Sequence, residues 1–131
     1  EGSREFSCPG SVLRAVAEPD ELTAGLDDSI SVFFSGSRAF RVMTDKERSD
    51  HGIAGGSASV QTLLRFAPTR VLISGWIRQP EAVQGQAAWM RATYGAGTVD
   101  LFSFRPQYRG WSQEAFQLLF RAIVFGRDHT R

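Results

Sequence analysis

Cysteine, lysine and histidine are almost missing from this sequence: one, one and two residues respectively in 131. The single Cys8 excludes an intrachain disulfide and any zinc cluster built from thiolates. The histidines are His51 and His129, and the His-x-x-Glu spacing of zinc proteases is broken because Ala54 stands where the Glu would be. A catalytic zinc needs about three protein ligands, so no metal site is expected and both histidines read as solvated. No cofactor is expected either: Gly55-Gly56-Ser57 lacks the Gly-Lys-Ser/Thr of a phosphate loop. No run approaches the roughly 18 apolar residues of a membrane span, and no secretory leader opens the chain, so no membrane partner is expected. A strong charge of one sign is lacking too. Fifteen basic against fourteen acidic side chains are too balanced for a nucleic-acid partner. Arg38 and Arg41 flank Phe40, but no basic surface interleaved with aromatics extends from them.

What is abundant is apolar and aromatic. Hydrophobic residues make up 42% of the chain and include ten Phe and three Trp, which suits one globular domain with a modest core. The charge is uneven along the chain. Residues 1–65 carry seven basic and ten acidic groups, about −3, and residues 66–131 carry eight and four, about +4. The first residue is Glu1, so a processed product or a domain of a longer polypeptide is expected.

Residues 1–10 read as a lead-in or linker, residues 11–126 as one domain, and residues 127–131 as a polar tail. Short apolar runs predict strands over 11–17, 29–35, 39–43, 60–66, 70–76, 86–94 and 98–104, the last two as a hairpin through Gly95-Ala96-Gly97. Val99, Leu101, Phe102 and Phe104 put apolar side chains on both faces of the last strand, which predicts a central position. Residues 18–25 read as a turn ending at Gly25, and Pro80 as the start of one helical turn. Residues 44–59 hold three Gly and many charged groups, which predicts an irregular, mobile surface loop. From Ser112 to Phe125 the pattern is helical: Phe116, Leu119, Phe120 and Ile123 fall at i, i+3, i+4 and i+7. Leu118, Ala122 and Phe125 widen that stripe, Ser112 can cap its start, and Gly126 can end it. The fold class is therefore α/β: a mixed sheet of about six strands with one long C-terminal helix.

The run Phe102-Ser-Phe-Arg-Pro-Gln-Tyr-Arg109 leads into that helix, and it resembles the Phe-x-Phe-His-Pro-Glu segment of class I glutamine amidotransferases. Pro9-Gly-Ser-Val-Leu-Arg14, residues 31–40, Leu72-Ile-Ser-Gly-Trp-Ile77 and residues 95–110 extend the likeness over roughly residues 9–126. Together they resemble the degenerate amidotransferase-like, flavodoxin-like domain appended C-terminally to bacterial zinc carboxypeptidase-like proteins. The resemblance implies the second half of that α/β layer structure, without the half that holds the nucleophile. It also implies an accessory role beside a larger hydrolase, outside the cytoplasm.

The catalytic positions of the family do not carry over. Arg105 replaces the His that would act as general base, and a guanidinium stays protonated and cannot accept a proton. Gln107 replaces the Glu that would orient it. Cys8 sits in Phe6-Ser-Cys-Pro-Gly10, where the family has Gly-x-Cys-x-Gly. Phe6 replaces the first Gly, and Pro9 removes a backbone donor beside the thiol. No catalytic residue is therefore assigned, and the chain is expected not to be an enzyme. The favoured function is a non-catalytic accessory or interaction domain, in contact with its parent polypeptide or a second copy through an exposed apolar sheet face. A different class is a binding module for a small anion, peptide carboxylate or sugar, using Arg105, Tyr108, Arg109 and Trp111 at a strand end and helix start. The bland reading of the same residues pairs Arg105 with Asp100 or Glu114 and uses Trp111 as a staple. A small hydrolase with an unrecognised nucleophile among Ser35, Ser37 and Ser103 is the third possibility.

Overall fold

Alternation in the first apolar run sets the pattern of the sheet. In β1 (Ser11–Ala17), Ser11, Leu13 and Ala15 are buried, and the residues between them are partly exposed. A computed structural model describes residues 6–52 and 59–125. The helix stop at Gly126, the tail at 127–131, His129, residues 1–5 of the lead-in and residues 53–58 of the expected loop lie outside the described residues. β2 (Ile30–Phe34) pairs with one side of β1, placing Ile30 opposite Ala15 and Val32 opposite Leu13. β3 (Val60–Phe66) takes the other side of β1, and short β4 (Leu72–Ser74) pairs with its beginning. β5 (Ala87–Tyr94) and β6 (Gly97–Phe102) form the expected hairpin, giving the order β2-β1-β3-β5-β6 with β4 to the side. α2 (Gln113–Phe125) is the long C-terminal helix.

Six strands and one long helix match the expected content, but the expected mixed sheet is corrected. Every strand pairing among the described residues is antiparallel. Parallel neighbours need a crossover, usually a helix, and the β1–β2 and β5–β6 links have none. β6 is an edge strand, not a central one. Its inward Phe102 stacks on Trp89 at 5.1 Å, while Val99 and Leu101 face outward and are exposed. Apolar residues on both faces therefore reflect one packed face and one bare face.

Residues 39–43 do not form a strand, because only Phe40 makes a bridge, to Ala87. The chain then enters a helix, α1 (Asp45–Asp50), where an irregular loop was expected. The overlooked signal is Thr44-x-x-Glu47, a capping box. Thr44 Oγ1 accepts from the Glu47 N–H at 3.3 Å, and a Glu47 oxygen accepts from the Thr44 N–H at 2.8 Å. Arg41 also grips both Glu47 oxygens, at 2.9 and 2.8 Å.

The sheet curls until its two sides are joined by a short piece of chain. Just after β6, Ser103 N–H donates to Ala88 O at 2.8 Å, and two residues later Arg105 N–H donates to Phe33 O at 3.3 Å. Two extended residues span about 7 Å at most, so this strut brings β5 close to the outer edge of β2. Along the same edge the Ser31 N–H donates to Glu114 at 3.1 Å, and Ser31 O accepts from Ser112 Oγ at 2.9 Å. The side of β2 away from β1 is thus covered by the strut and by the start of α2. Leu13, Ile30, Val32, Phe34, Leu64, Phe66 and Trp89 fill the space enclosed.

α2 is capped at Ser112, whose Oγ accepts from Ala115 N–H at 3.2 Å. Its packed face is Ala115, Leu118 and Ala122. The expected stripe is therefore displaced around the helix: Phe120 and Ile123 are exposed. Ala115, Leu118 and Ala122 are buried, and bulky Phe120 and Ile123 stand on the opposite flank. Under the helix, Arg91 is 4% exposed and holds Asp100 through both oxygens, at 3.0 and 2.8 Å. The Trp89 indole N–H donates to the same carboxylate at 2.8 Å, and Arg91 reaches Ala122 O at 3.4 Å.

Two tests follow from this architecture. Gly75 has φ +101°, and a Cβ there would lie 2.6 Å from Ser11 Oγ, which itself bonds the Trp76 N–H and C=O at 2.9 and 2.6 Å. Gly75→Ala should lower unfolding stability by about 2 kcal/mol or more in a urea titration, and an unchanged midpoint would contradict this packing. The bond from Arg41, then those from the Thr44 N–H and hydroxyl, hold the Glu47 carboxyl down to about 2. Because the folded value is depressed, the support that Glu47 gives α1 is full above the unfolded value of about 4.3 and is lost as pH falls through 2. A carbon-detected NMR titration should place the Glu47 midpoint near 2, returning toward the ordinary value in Arg41→Met; identical midpoints would refute the pairing.

Candidate functional site

The strut that closes the sheet also builds the site. Ser103, Phe104 and Pro106 are buried, and Arg105 between them is exposed. With its N–H on Phe33 O, Arg105 lines an open groove of ≈ 470 Å³. Cys8, Ser35, Ser37 and Arg38 line the same groove, with Phe6, backed by buried Phe34, as its aromatic side. Three distant stretches of chain thus meet, around residues 6–9, 34–38 and 105.

Beyond Pro106 the chain turns away. The Tyr108 ring stacks on Phe33 with centroids 4.2 Å apart and planes 15° apart. The Arg109 guanidinium carbon lies 5.4 Å from the Tyr108 ring centroid, a cation–π distance. Arg109 and Gly110 have φ +51° and +60°, and this left-handed pair turns the chain into α2. Trp111 is exposed and lines a separate groove of ≈ 290 Å³ with Ser31, Ser112, Gln113 and Glu114. Tyr108 and Arg109 are therefore together, Arg105 belongs to another groove, and Trp111 to a third place.

The carboxylates expected to neutralise Arg105 are engaged elsewhere. Asp100 is held by Arg91 and Trp89, and Glu114 accepts from the Ser31 N–H. Among the described residues, neither Arg38 nor Arg105 forms an ion pair. In the sequence Arg38 stands beside Phe40 and Arg41, with no basic surface extending from them. Nothing local distinguishes it, because its value as a site residue arises from meeting Arg105, 67 positions later.

The candidate nucleophiles are occupied by backbone. Ser35 Oγ donates to Pro9 O at 3.1 Å, Ser37 Oγ to Ser35 O at 3.4 Å, and buried Ser103 Oγ to Ala87 O at 2.9 Å. Burial pushes the Cys8 thiol up, and a hydrogen bond with Ser11 offsets this only in part. The thiolate fraction at neutral pH is correspondingly small. His51 follows α1, where its backbone N–H caps Glu47 O at 3.1 Å, and its ring is exposed. No group of three His, Cys, Asp or Glu able to hold a metal ion occurs among the described residues, and no helix there is long and apolar enough to cross a membrane. Trp76 is exposed, whereas Trp89 is fully buried.

No family model, curated protein or solved structure matches this chain.

The state of Cys8 is directly testable. Iodoacetamide should alkylate the folded chain at pH 7.5 at least about tenfold more slowly than the urea-unfolded chain, since both burial and the raised thiol disfavour attack. A folded-state rate above the unfolded one would mark an activated cysteine and reopen its role as nucleophile.

Proposed function

We propose that this chain is a non-catalytic accessory module that presents an apolar surface to another protein surface, as the amidotransferase-like resemblance implies. One observation carries the reading: the outer side of α2 exposes Phe120 (54%), Ile123 (63%) and Val124 (59%). These positions lie on one flank of the helix, opposite the packed Ala115–Leu118–Ala122 side. Val99 and Leu101 on the bare face of β6 add exposed apolar area. The absence of catalysis is supported by Arg105, which cannot accept a proton, and by the raised Cys8 thiol. In the isolated chain the occupant of the α2 face is a second copy. A stripe of Phe, Ile and Val carries no charge, so laying it against itself about a two-fold axis creates no like-charge repulsion.

Light-scattering chromatography should give a dimer for the wild-type chain and a monomer for Phe120→Glu/Ile123→Glu, with unchanged circular dichroism. A wild-type monomer at the highest soluble concentration, or a dimer that survives both charges, would overturn the reading. A second reading, a binding module for a small anion, is favoured by the guanidinium of Arg105, which lines an open groove and forms no ion pair among the described residues.

A further inference from the structure

We propose that the groove between Arg38 and Arg105 binds a monocarboxylate with an apolar body. The inference deepens the ligand-binding reading of Arg105 and rests on it, independently of the α2 face. Charge comes first: both arginines line the groove, no Asp or Glu lines it, and neither guanidinium forms an ion pair among the described residues. A guanidinium fork matches a carboxylate with two parallel bonds, which are stronger than bonds between neutral groups.

Mounting comes second. Arg105 is held by its backbone bond to Phe33 O between buried Phe104 and Pro106. Arg38 follows the Ser35-Gly36-Ser37 turn, where Gly36 has φ +58° and Ser35 Oγ is tied to Pro9 O. Fixed backbone on both sides limits the ordering cost of binding.

The wall decides the class of ligand. Phe6, partly exposed and backed edge to face by buried Phe34 with centroids 6.0 Å apart, and exposed Pro9 form the apolar side of the lining. Inorganic phosphate would satisfy the arginines and leave this apolar side uncovered. A neutral apolar molecule would cover the wall and leave the guanidinia without a partner. A carboxylate carried on an apolar body uses both. The volume of ≈ 470 Å³ accommodates one small molecule of this kind.

The test is an amide NMR titration of the intact chain with 3-phenylpropionate, 3-phenylpropanamide and inorganic phosphate, repeated for Arg38→Met, Arg105→Met and Arg109→Met. Phenylpropionate should move the amides of Ser7, Cys8, Gly36 and Arg38. Its affinity should fall about tenfold or more in Arg38→Met and in Arg105→Met, as expected for a lost charge-assisted pair. It should be unchanged in Arg109→Met, and the amide isostere should bind at least about tenfold more weakly. Equal binding of the amide, tighter binding of phosphate, or indifference to both groove variants would overturn the proposal. Loss of binding in Arg109→Met alone would overturn the groove and keep anion binding at Tyr108 and Arg109. Failure of all three probes to bind would overturn both the groove and the ligand-binding reading.

Discussion

The rest of the structure depends on the short strut after β6. Its two backbone bonds, Ser103 N–H to Ala88 O and Arg105 N–H to Phe33 O, hold the far side of the sheet against the outer edge of β2. An open six-stranded antiparallel sheet of this size would expose one edge of β2 and much of its inner face to water. Joining the sides encloses Phe34, Phe66 and Trp89, whose burial contributes on the order of 2 kcal/mol each. The same strut sets where α2 begins and which way Arg105 faces. The segment that looks like a degenerate catalytic motif is therefore first a structural closure. Phe104 and Pro106 are buried on either side of Arg105, which is left in the open.

The helix that follows is held at both ends by polar contacts rather than by its whole apolar surface. Ser112 and Glu114 fix its start to Ser31, and Arg121 donates to Leu22 O and Ala24 O at 3.0 and 2.8 Å. Arg91 fastens the hairpin beneath it. A buried ion pair is weak evidence of net stability, because desolvation of both charges opposes their attraction. Here the carboxylate also accepts from Trp89, and removal of either partner would leave a charge inside and cost about 3–5 kcal/mol. The pair lies directly across the β5–β6 ladder, Arg91 opposite Asp100, and so favours this register. Phe120, Ile123 and Val124 remain outside, and their exposure links the packing of α2 to the accessory reading.

Much of the local structure was legible because it depends on near neighbours. The alternation of Ser11, Leu13 and Ala15, the Gly95-Ala96 connection, the 3-10 turn after Pro80 and the Ser112 cap all require only residues a few positions apart. The capping box at Thr44 and Glu47 was equally local and was masked by the glycines that follow it. The stripe on α2 was legible as amphipathic, but two apolar flanks share one helix, and periodicity does not say which one meets the sheet. Which flank is buried, that of Ala115, Leu118 and Ala122, is decided by the partner surface. Within the candidate site, Tyr108 and Arg109 are adjacent and could be paired by eye. Arg38 and Cys8 could not be placed beside Arg105 from spacing.

The amino-acid sequence by itself determined the strands other than the one expected at 39–43, the hairpin, and the C-terminal helix with its cap. Each of these follows from side-chain chemistry and from periods of two or 3.6 residues along the chain. Tertiary structure alone decided that the sheet is antiparallel and curled, that β6 lies at an edge, and that Asp100 pairs with Arg91 rather than Arg105. It also decided that Arg38 and Arg105 share one groove while Trp111 lies apart. The physical reason is common to all of these. They are contacts between segments far apart in the chain, set by how the curled sheet closes, and no local pattern encodes that closure.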